Sequence, residues 1–436
     1  MLSASSTMYK KVKLLGIIAL LASGMLQAQT ENSPYSRYGL GDQLPSQNIM
    51  LRGIGGAAAA YADMRSVNYT NPASYSKIKL ATFDFGLEVD SRTLKVTDPP
   101  RKFNSVSPII SYIQLGLPLS KKNNWGMNIG LRPVTRINYS LERNERLPDI
   151  DSVHTVFEGN GGSYEVYTGT GIEVKNFSIG FNVGYRFGTK DYTTERNFVP
   201  DSAFKFYYGS QYSTHASFGG LFTSAGIQYS IKLGKKNMLR LGAYGNLRRE
   251  YSGTRDRTIM TYEESTDGGV DSIDIIQQTS EPGDIVYPSK FGAGLMFFGG
   301  ENWLLGADFE QTKWSEYRFF GDEDAVQDSW VFHVGGQVIP NIVNPKSYWG
   351  TVIYRAGFHF GQDYIKVDND LPMWGVSLGL GLPMRRQNYS NQSSIINTTF
   401  EFGQRGNNAN PIRENYFRVG IGLNLSDIWF IKRKYD

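Results

Sequence analysis

The chain has 436 residues, with 45 Lys and Arg against 41 Asp and Glu, a net charge of +4, 40% hydrophobic residues and no cysteine. So slight a basic excess offers nothing to nucleic acid, and the missing thiols exclude disulfides, thiolate catalysis, zinc-thiolate sites and a lipid-modified N-terminal cysteine. No run reaches the roughly 18 apolar residues that a helical membrane span needs.

The first 28 residues read as an export signal. Lys10, Lys11 and Lys13 form a positive start, Leu14 to Leu26 an apolar stretch too short to span, and Ala28 the last residue before cleavage. Those three lysines account for most of the net charge.

Residues 29–79 do not alternate. They hold Ser33-Pro34-Tyr35-Ser36-Arg37-Tyr38-Gly39-Leu40-Gly41, then Gly53, Gly55 and Gly56 leading into Ala57–Ala60, then Asp63, then Asn71-Pro72-Ala73. The alanine run predicts a small, closely packed helix. Asn71 is placed to cap a second helix with Pro72 in its first turn, where proline's missing N–H is not needed. Some fifty residues of this composition cannot build a core of their own, but they can fill a lumen as a hatch. Arg52, Asp63 and Arg65 are then expected to pair with lumen charges such as Asp84, Glu88 and Arg132.

From residue 80 onward, period-two alternation sets in. It predicts fourteen strands at 80–91, 106–118, 125–139, 162–174, 177–190, 216–233, 238–250, 287–298, 302–315, 326–339, 350–363, 372–383, 393–404 and 414–428. Phe177, Ile179, Phe181, Val183, Tyr185 and Phe187 fall on one face, and Ser178, Gly180, Asn182, Gly184 and Arg186 on the other. A soluble sandwich does not place Gly, Asn, Ser and isolated charges opposite its greasy face in this way. A membrane-spanning barrel, apolar outside and polar inside, does. Aromatic residues make up 14% of the chain, a supply suited to two interfacial girdles. The fold class expected is all-β: a fourteen-stranded antiparallel transmembrane barrel over 80–430, with a hatch at 29–79 and a basic tail at 431–436.

Short connections alternate with long ones at 140–161, 191–215 and 251–286, the pattern of periplasmic turns and outer loops. The aromatic segment 191–215 is expected to extend its strands above the membrane. In the last strand Phe417, Val419, Ile421, Leu423 and Leu425 alternate with polar residues before Trp429 and Phe430, the kind of end that barrel insertion machinery reads. The chain then closes on Ile431-Lys432-Arg433-Lys434-Tyr435-Asp436 instead of on Phe.

Reactive constellations are few. Gly375-Val376-Ser377-Leu378-Gly379 has the serine-hydrolase spacing, but it sits mid-strand and lacks the strand-to-helix elbow that the chemistry needs. His154, His215, His333 and His359 have no ligand-like spacing, so no metal, cofactor or catalytic set is expected. Pro108 and Pro133 cannot donate to a ladder. Either they sit at the membrane rim, or, with Arg136, they mark a lateral gate.

The Gly/Ala-rich stretch, the Asp and the Asn71-Pro72-Ala73 run just before strand one resemble the outer-membrane long-chain fatty-acid and hydrocarbon transporter family (FadL/TodX type). Ser33–Gly41 and Asp427-Ile428-Trp429-Phe430-Ile431-Lys432 resemble its Bacteroidota branch. The resemblance implies a fourteen-stranded barrel, the number reached by counting. It also implies a luminal hatch, a lateral opening at a kinked strand, and hydrophobic small-molecule cargo taken up from the outside of a Gram-negative outer membrane. Some relatives instead serve protein secretion or outer-membrane assembly. Two functions are therefore carried forward: a transporter of hydrophobic molecules such as long-chain fatty acids, and a non-transporting barrel subunit of a secretion or assembly complex. The expected partners are membrane lipid, cargo, the insertion machinery and other outer-membrane or secretion proteins.

Overall fold

The computed structural model describes residues 33–148, 151–199, 207–264, 270–341, 345, 347–384 and 393–428. The expected export signal at 1–28, Trp429, Phe430 and the expected basic tail at 431–436 lie outside the described residues. In chain order the strands are β1 (Asp42–Gln43), β2 (Ala81–Val96), β3 (Arg101–Ser120), β4 (Trp125–Arg146), β5 (Ser152–Val174), β6 (Phe177–Val199), β7 (Gly209–Leu233), β8 (Asn237–Asn246), β9 (Arg249–Glu264), β10 (Val270–Tyr287), β11 (Lys290–Gly299), β12 (Trp303–Thr312), β13 (Arg318–Phe319), β14 (Ser329–Val338), β15 (Ile353–Val367), β16 (Asn369–Pro383), β17 (Ser393–Arg405) and β18 (Ile412–Asp427).

Fourteen of these form a closed antiparallel ring: β2 to β8, β11, β12 and β14 to β18, with β18 pairing back onto β2. Each of the fourteen expected spans overlaps one ring strand. Closure leaves no unpaired end strand, and the stretch of β3 before Ile113 is the part of the wall without a β4 partner; in hydrocarbon an unpaired backbone group would cost several kcal/mol.

The distribution of side chains is that of a water-soluble protein turned inside out. On β6, Phe181 is 54% exposed and its neighbour Asn182 only 3%. Phe83, Ile129, Leu305, Val376 and Leu378 also lie on the outer face, whereas Asp84, Glu88, Glu165, Arg186, Arg355 and Glu401 are buried inside. A cation on the outer face would cost about 2–4 kcal/mol at mid-membrane, so the alternation fixes the register of the whole wall.

The expected long connections are mostly ladder. β4 and β5 stay paired as far as Arg146 and Ser152, and β6 and β7 as far as Arg196 and Ser210, the extension expected over 191–215. Within 251–286 the described residues are not an irregular loop but the paired strands β9 and β10, which continue the sheet beyond β7. Lipid imposes alternation because it wets one face of a strand; above the membrane water wets both, so alternation fades while the hydrogen-bond ladder runs on. The ring strands β8 and β11 end where this pair begins, at Leu247-Arg248 and Pro288-Ser289.

Candidate functional site

Residues 33–79 lie inside the ring, and the barrel's inward glycines make room for them. Asn71 accepts from the Ala73 N–H at 3.1 Å and so starts a 3-10 helix, Pro72–Lys77. Its Nδ2 donates to the carbonyls of Ala59 (2.6 Å), Ile227 (3.2 Å) and Ala243 (3.3 Å). A Cβ on Gly171 would stand 2.5 Å from the carbonyl oxygen of Pro72, and one on Gly180 or Gly226 would overlap Pro72 or Asn71 outright. Backbone from one part of the chain thus rests directly on backbone of β5 and β6, and the Asn71 side chain on backbone of β7.

The glycines of the segment do the same for β14 to β16. Gly55 (φ +71°) and Gly56 (φ +91°) adopt left-handed backbone. The Gly55 N–H donates to Ser377 Oγ at 3.1 Å, and its carbonyl accepts from His333 Nδ1 at 2.7 Å. Ser377, the centre of the hydrolase-like motif, is therefore a buried contact for this segment. Gly53 ends α1 (Ile49–Arg52) and abuts Gly379. The alanine run that follows is not the expected helix. The N–H groups of Ala58 and Ala59 turn instead to Asp308 Oδ2, at 2.5 and 2.6 Å, which takes them out of any helical ladder.

A buried ionic chain joins the segment to the first and last strands. Arg52 pairs with Glu88 on β2 and with Glu401 on β17 (3.0 Å). Arg418 links Glu401 (3.0 Å) to Asp90 (3.2 Å), and Arg92 links Asp90 (3.0 Å) to Asp42 (2.7 Å). Asp42 continues to Arg405 (2.7 Å), which also holds Asp363 (2.9 Å). Ser33 donates to Glu414, itself 3.3 Å from Arg92. Burial alone would push the Asp42 carboxyl up, but the guanidiniums of Arg92 and Arg405 outweigh it and hold the group below its ordinary value. Burial likewise works against the charge on Arg52, and Glu88 and Glu401 more than reverse the effect.

The expected pairing is thus found for Arg52 with Glu88. Asp63 turns back on its own segment, accepting from Tyr61 OH (3.2 Å) and the Arg65 N–H (3.0 Å). Arg132 binds Glu165 across β4 and β5, at 2.9 Å. Above the segment lies a cavity of about 250 Å³, lined among others by Arg132, Glu165, Arg186, His333, Glu401 and Arg418. It is a charged chamber. The rings of His333 and His359 lie 5.9 Å apart, tilted by 42°, and no cluster of three metal-binding side chains occurs among the described residues.

Pro108, Pro133 and Arg136 all lie on the stretches of β3 and β4 that do not pair with each other. The pairing of β3 with β4 stops at Ile113 and Leu131. Beyond it β4 carries a bulge between Pro133 and Thr135, and Thr135 and Arg136 pair instead with β1 of the N-terminal segment. The Leu44 N–H donates to the Val134 carbonyl at 2.9 Å. Pro108 lies on the part of β3 that has no β4 neighbour.

Sequence reasoning missed Asp42, Asp308, Arg405 and Glu414. Asp42, among the glycines of 39–41, offered no local signal; Asp308 and Glu414 sit at inward positions of predicted strands and were detectable only as members of that face, and Arg405 falls one residue past the expected strand 393–404.

A family model described as BamG matches residues 8–436. No curated protein matches the sequence. Among solved structures the chain is similar to the Pseudomonas putida toluene transporter TodX (16% identity, TM-score 0.55, covering 89% of this chain and 100% of that one). It is also similar to a Pseudomonas aeruginosa FadL homologue (12%, 0.56, 90% and 100%) and to the CymD monoaromatic hydrocarbon channel (14%, 0.54, 88% and 98%). These likenesses establish the shared barrel fold; the proteins named are channels and transporters, not enzymes.

Proposed function

The chain belongs to the BamG family, and on that footing we propose that it is an outer-membrane barrel held shut by its own N-terminal hatch, acting as a non-transporting subunit of an outer-membrane protein assembly or secretion complex. The observation that carries this reading is the ionic chain from Asp42 through Arg92, Asp90, Arg418 and Glu401 to Arg52. A hydrophobic molecule crossing the lumen would have to enter a charged chamber and part buried ion pairs, each of which costs about 3–5 kcal/mol to break by loss of one partner. Far more chain rises above the membrane than a closed pore requires, and it is folded as sheet. Such a superstructure suits contact with other proteins. Purification in mild detergent after crosslinking in cells tests the reading: a stable stoichiometric complex is expected, and a barrel recovered alone overturns it.

A second reading is passage of hydrophobic small molecules, such as long-chain fatty acids or monoaromatic hydrocarbons. It is favoured by the seam between β3 and β4 at Pro133 and by the likeness to TodX and CymD. Here Pro108, Pro133 and Arg136 would border a side gate, and cargo would skirt the hatch without crossing the charged chamber. Uptake of a labelled fatty acid or of toluene into proteoliposomes, faster than into empty liposomes, would support it.

A further inference from the structure

The pair of β9 and β10 ends the extramembrane sheet, and most of its outer edge pairs with no described strand. β10 bonds to β9 along its whole length, from Val270 to Tyr287. On its other side, among the described residues, Ile285 and Val286 pair with the two residues of β13, and the Asp284 carbonyl accepts from the Phe320 N–H at 3.0 Å. Residues 271–283 therefore present backbone donors and acceptors on a side where no described strand pairs with them. Proteins normally blunt such edges with bulges, charges or proline, and β10 has all three: two bulges, Asp271 and Asp274, and Pro282.

The bulges do more than blunt. In the first, Ser272 faces Tyr262 and Asp274 faces Thr261, so Ile273 is the inserted residue. In the second, Ile275 faces Met260 and Gln277 faces Ile259, so Ile276 is the inserted residue. A bulge re-aims a side chain, and both re-aimed side chains are isoleucines, 48% and 63% exposed; Ile275 between them is 53% exposed. A purely protective bulge has no use for an exposed β-branched apolar residue, let alone two. The charge around them has one sign as well. From Thr258 to Ser280 the sequence has five acidic residues and no Lys or Arg, in a chain where bases outnumber acids.

We infer that the edge of β10 is a docking strand for an extended segment of a partner protein in which basic and apolar residues alternate. The partner's backbone would complete the open ladder, its apolar side chains would cover Ile273, Ile275 and Ile276, and its bases would face Asp271, Asp274 and Glu263. Added strands take affinity from main-chain hydrogen bonds and specificity from alternate side chains. The inference deepens the subunit reading by naming the surface and the chemistry of the partner.

The test uses the full chain in nanodiscs and two fluorescent twelve-residue peptides, one alternating Lys and Ile, the other Glu and Ile. The Lys peptide is expected to bind and to slow amide exchange across 271–283, while the Glu peptide does not bind. I273D/I276D and D271N/D274N should each weaken the Lys peptide at least tenfold without changing the barrel's thermal unfolding. Equal binding of both peptides, an undiminished affinity in the variants, or protection elsewhere than on β10 overturns the inference. Recovery of an intact crosslinked complex alongside a negative peptide result sinks this surface alone and leaves the subunit reading standing. A barrel purified alone that still binds the Lys peptide at β10 sinks the subunit reading and upholds the surface.

Discussion

Asn71 and Gly226 touch across the lumen: the side-chain oxygen of Asn71 occupies the space that any side chain at position 226 would need. The same oxygen caps the Pro72–Lys77 helix and the amide nitrogen clamps three carbonyls, so it cannot swing aside without breaking four hydrogen bonds. Gly226→Ala should therefore destabilise the protein by about 1–3 kcal/mol, the usual range for overpacking. Gly180→Ala should do at least as much, because its clash is with the backbone of Pro72. Thermal unfolding and protease cleavage within 33–79 would both report the change; unaltered cleavage in either variant would contradict this packing.

Arg52 is the one residue of the segment that holds acids on two ring strands. Arg52→Ala leaves Glu88 and Glu401 with only Arg418 between them. A loss of about 3–5 kcal/mol is expected. Arg52→Lys should recover little of it, since a point charge cannot bridge two carboxylates as a guanidinium does. The measurement is the denaturant midpoint of the refolded barrel, and equal midpoints for all three chains would remove the ionic chain from the account of stability.

Acid should weaken the same chain in a defined direction. Asp42 is held below its ordinary value, about 3.9 for an aspartate, because Arg92 and Arg405 favour its charged form more than burial opposes it. A carboxyl with a lowered folded value contributes stability that is fully present above the unfolded value and is lost as pH falls through the folded one. The stability gap between wild type and Asp42→Asn should thus be constant above about pH 4 and shrink below it. A gap that instead closed as pH rose from 5 to 8 would show that another group controls the anchorage.

The outer face should refuse charge in proportion to depth. Leu378 lies near the middle of β16 and points to lipid, so Leu378→Arg should cost about 2–4 kcal/mol. Arginine at Leu247, at the upper end of β8 and 74% exposed, should cost no more than about 1 kcal/mol. Folding yield into vesicles of matched thickness would rank the two, and equal yields would mean that β16 does not cross hydrocarbon where its alternation places it.

The wall was readable in the sequence because lipid writes a simple rule along every strand. Phe177 to Phe187 and Val376 to Leu382 show it plainly, and every one of the fourteen ring strands was found from such runs. Above the membrane the rule lapses. Thr258 to Glu264 and Ser272 to Gln278 therefore read as a loop, although both are strand. Within the N-terminal segment, the cap at Asn71 was legible because it is local. The path of Ala57–Ala60 was not, because Asp308, some 250 positions away, takes the N–H groups that a helix would have used. Long-range pairing had the same obscurity. Arg52 was a sound candidate for Glu88, but nothing in the sequence ties it to Glu401, and Asp63 satisfies itself within its own turn.

The contacts of Arg52 also tie the N-terminal segment to the closure of the ring. Its two acids lie on β2 and β17, either side of β18, and β2 with β18 is the pair by which the ring closes. The two-acid grip is therefore complete only once β18 has paired with β2 and brought β17 beside them. The buried pairs of one arginine thus register, from inside the lumen, that the two ends of the wall have met.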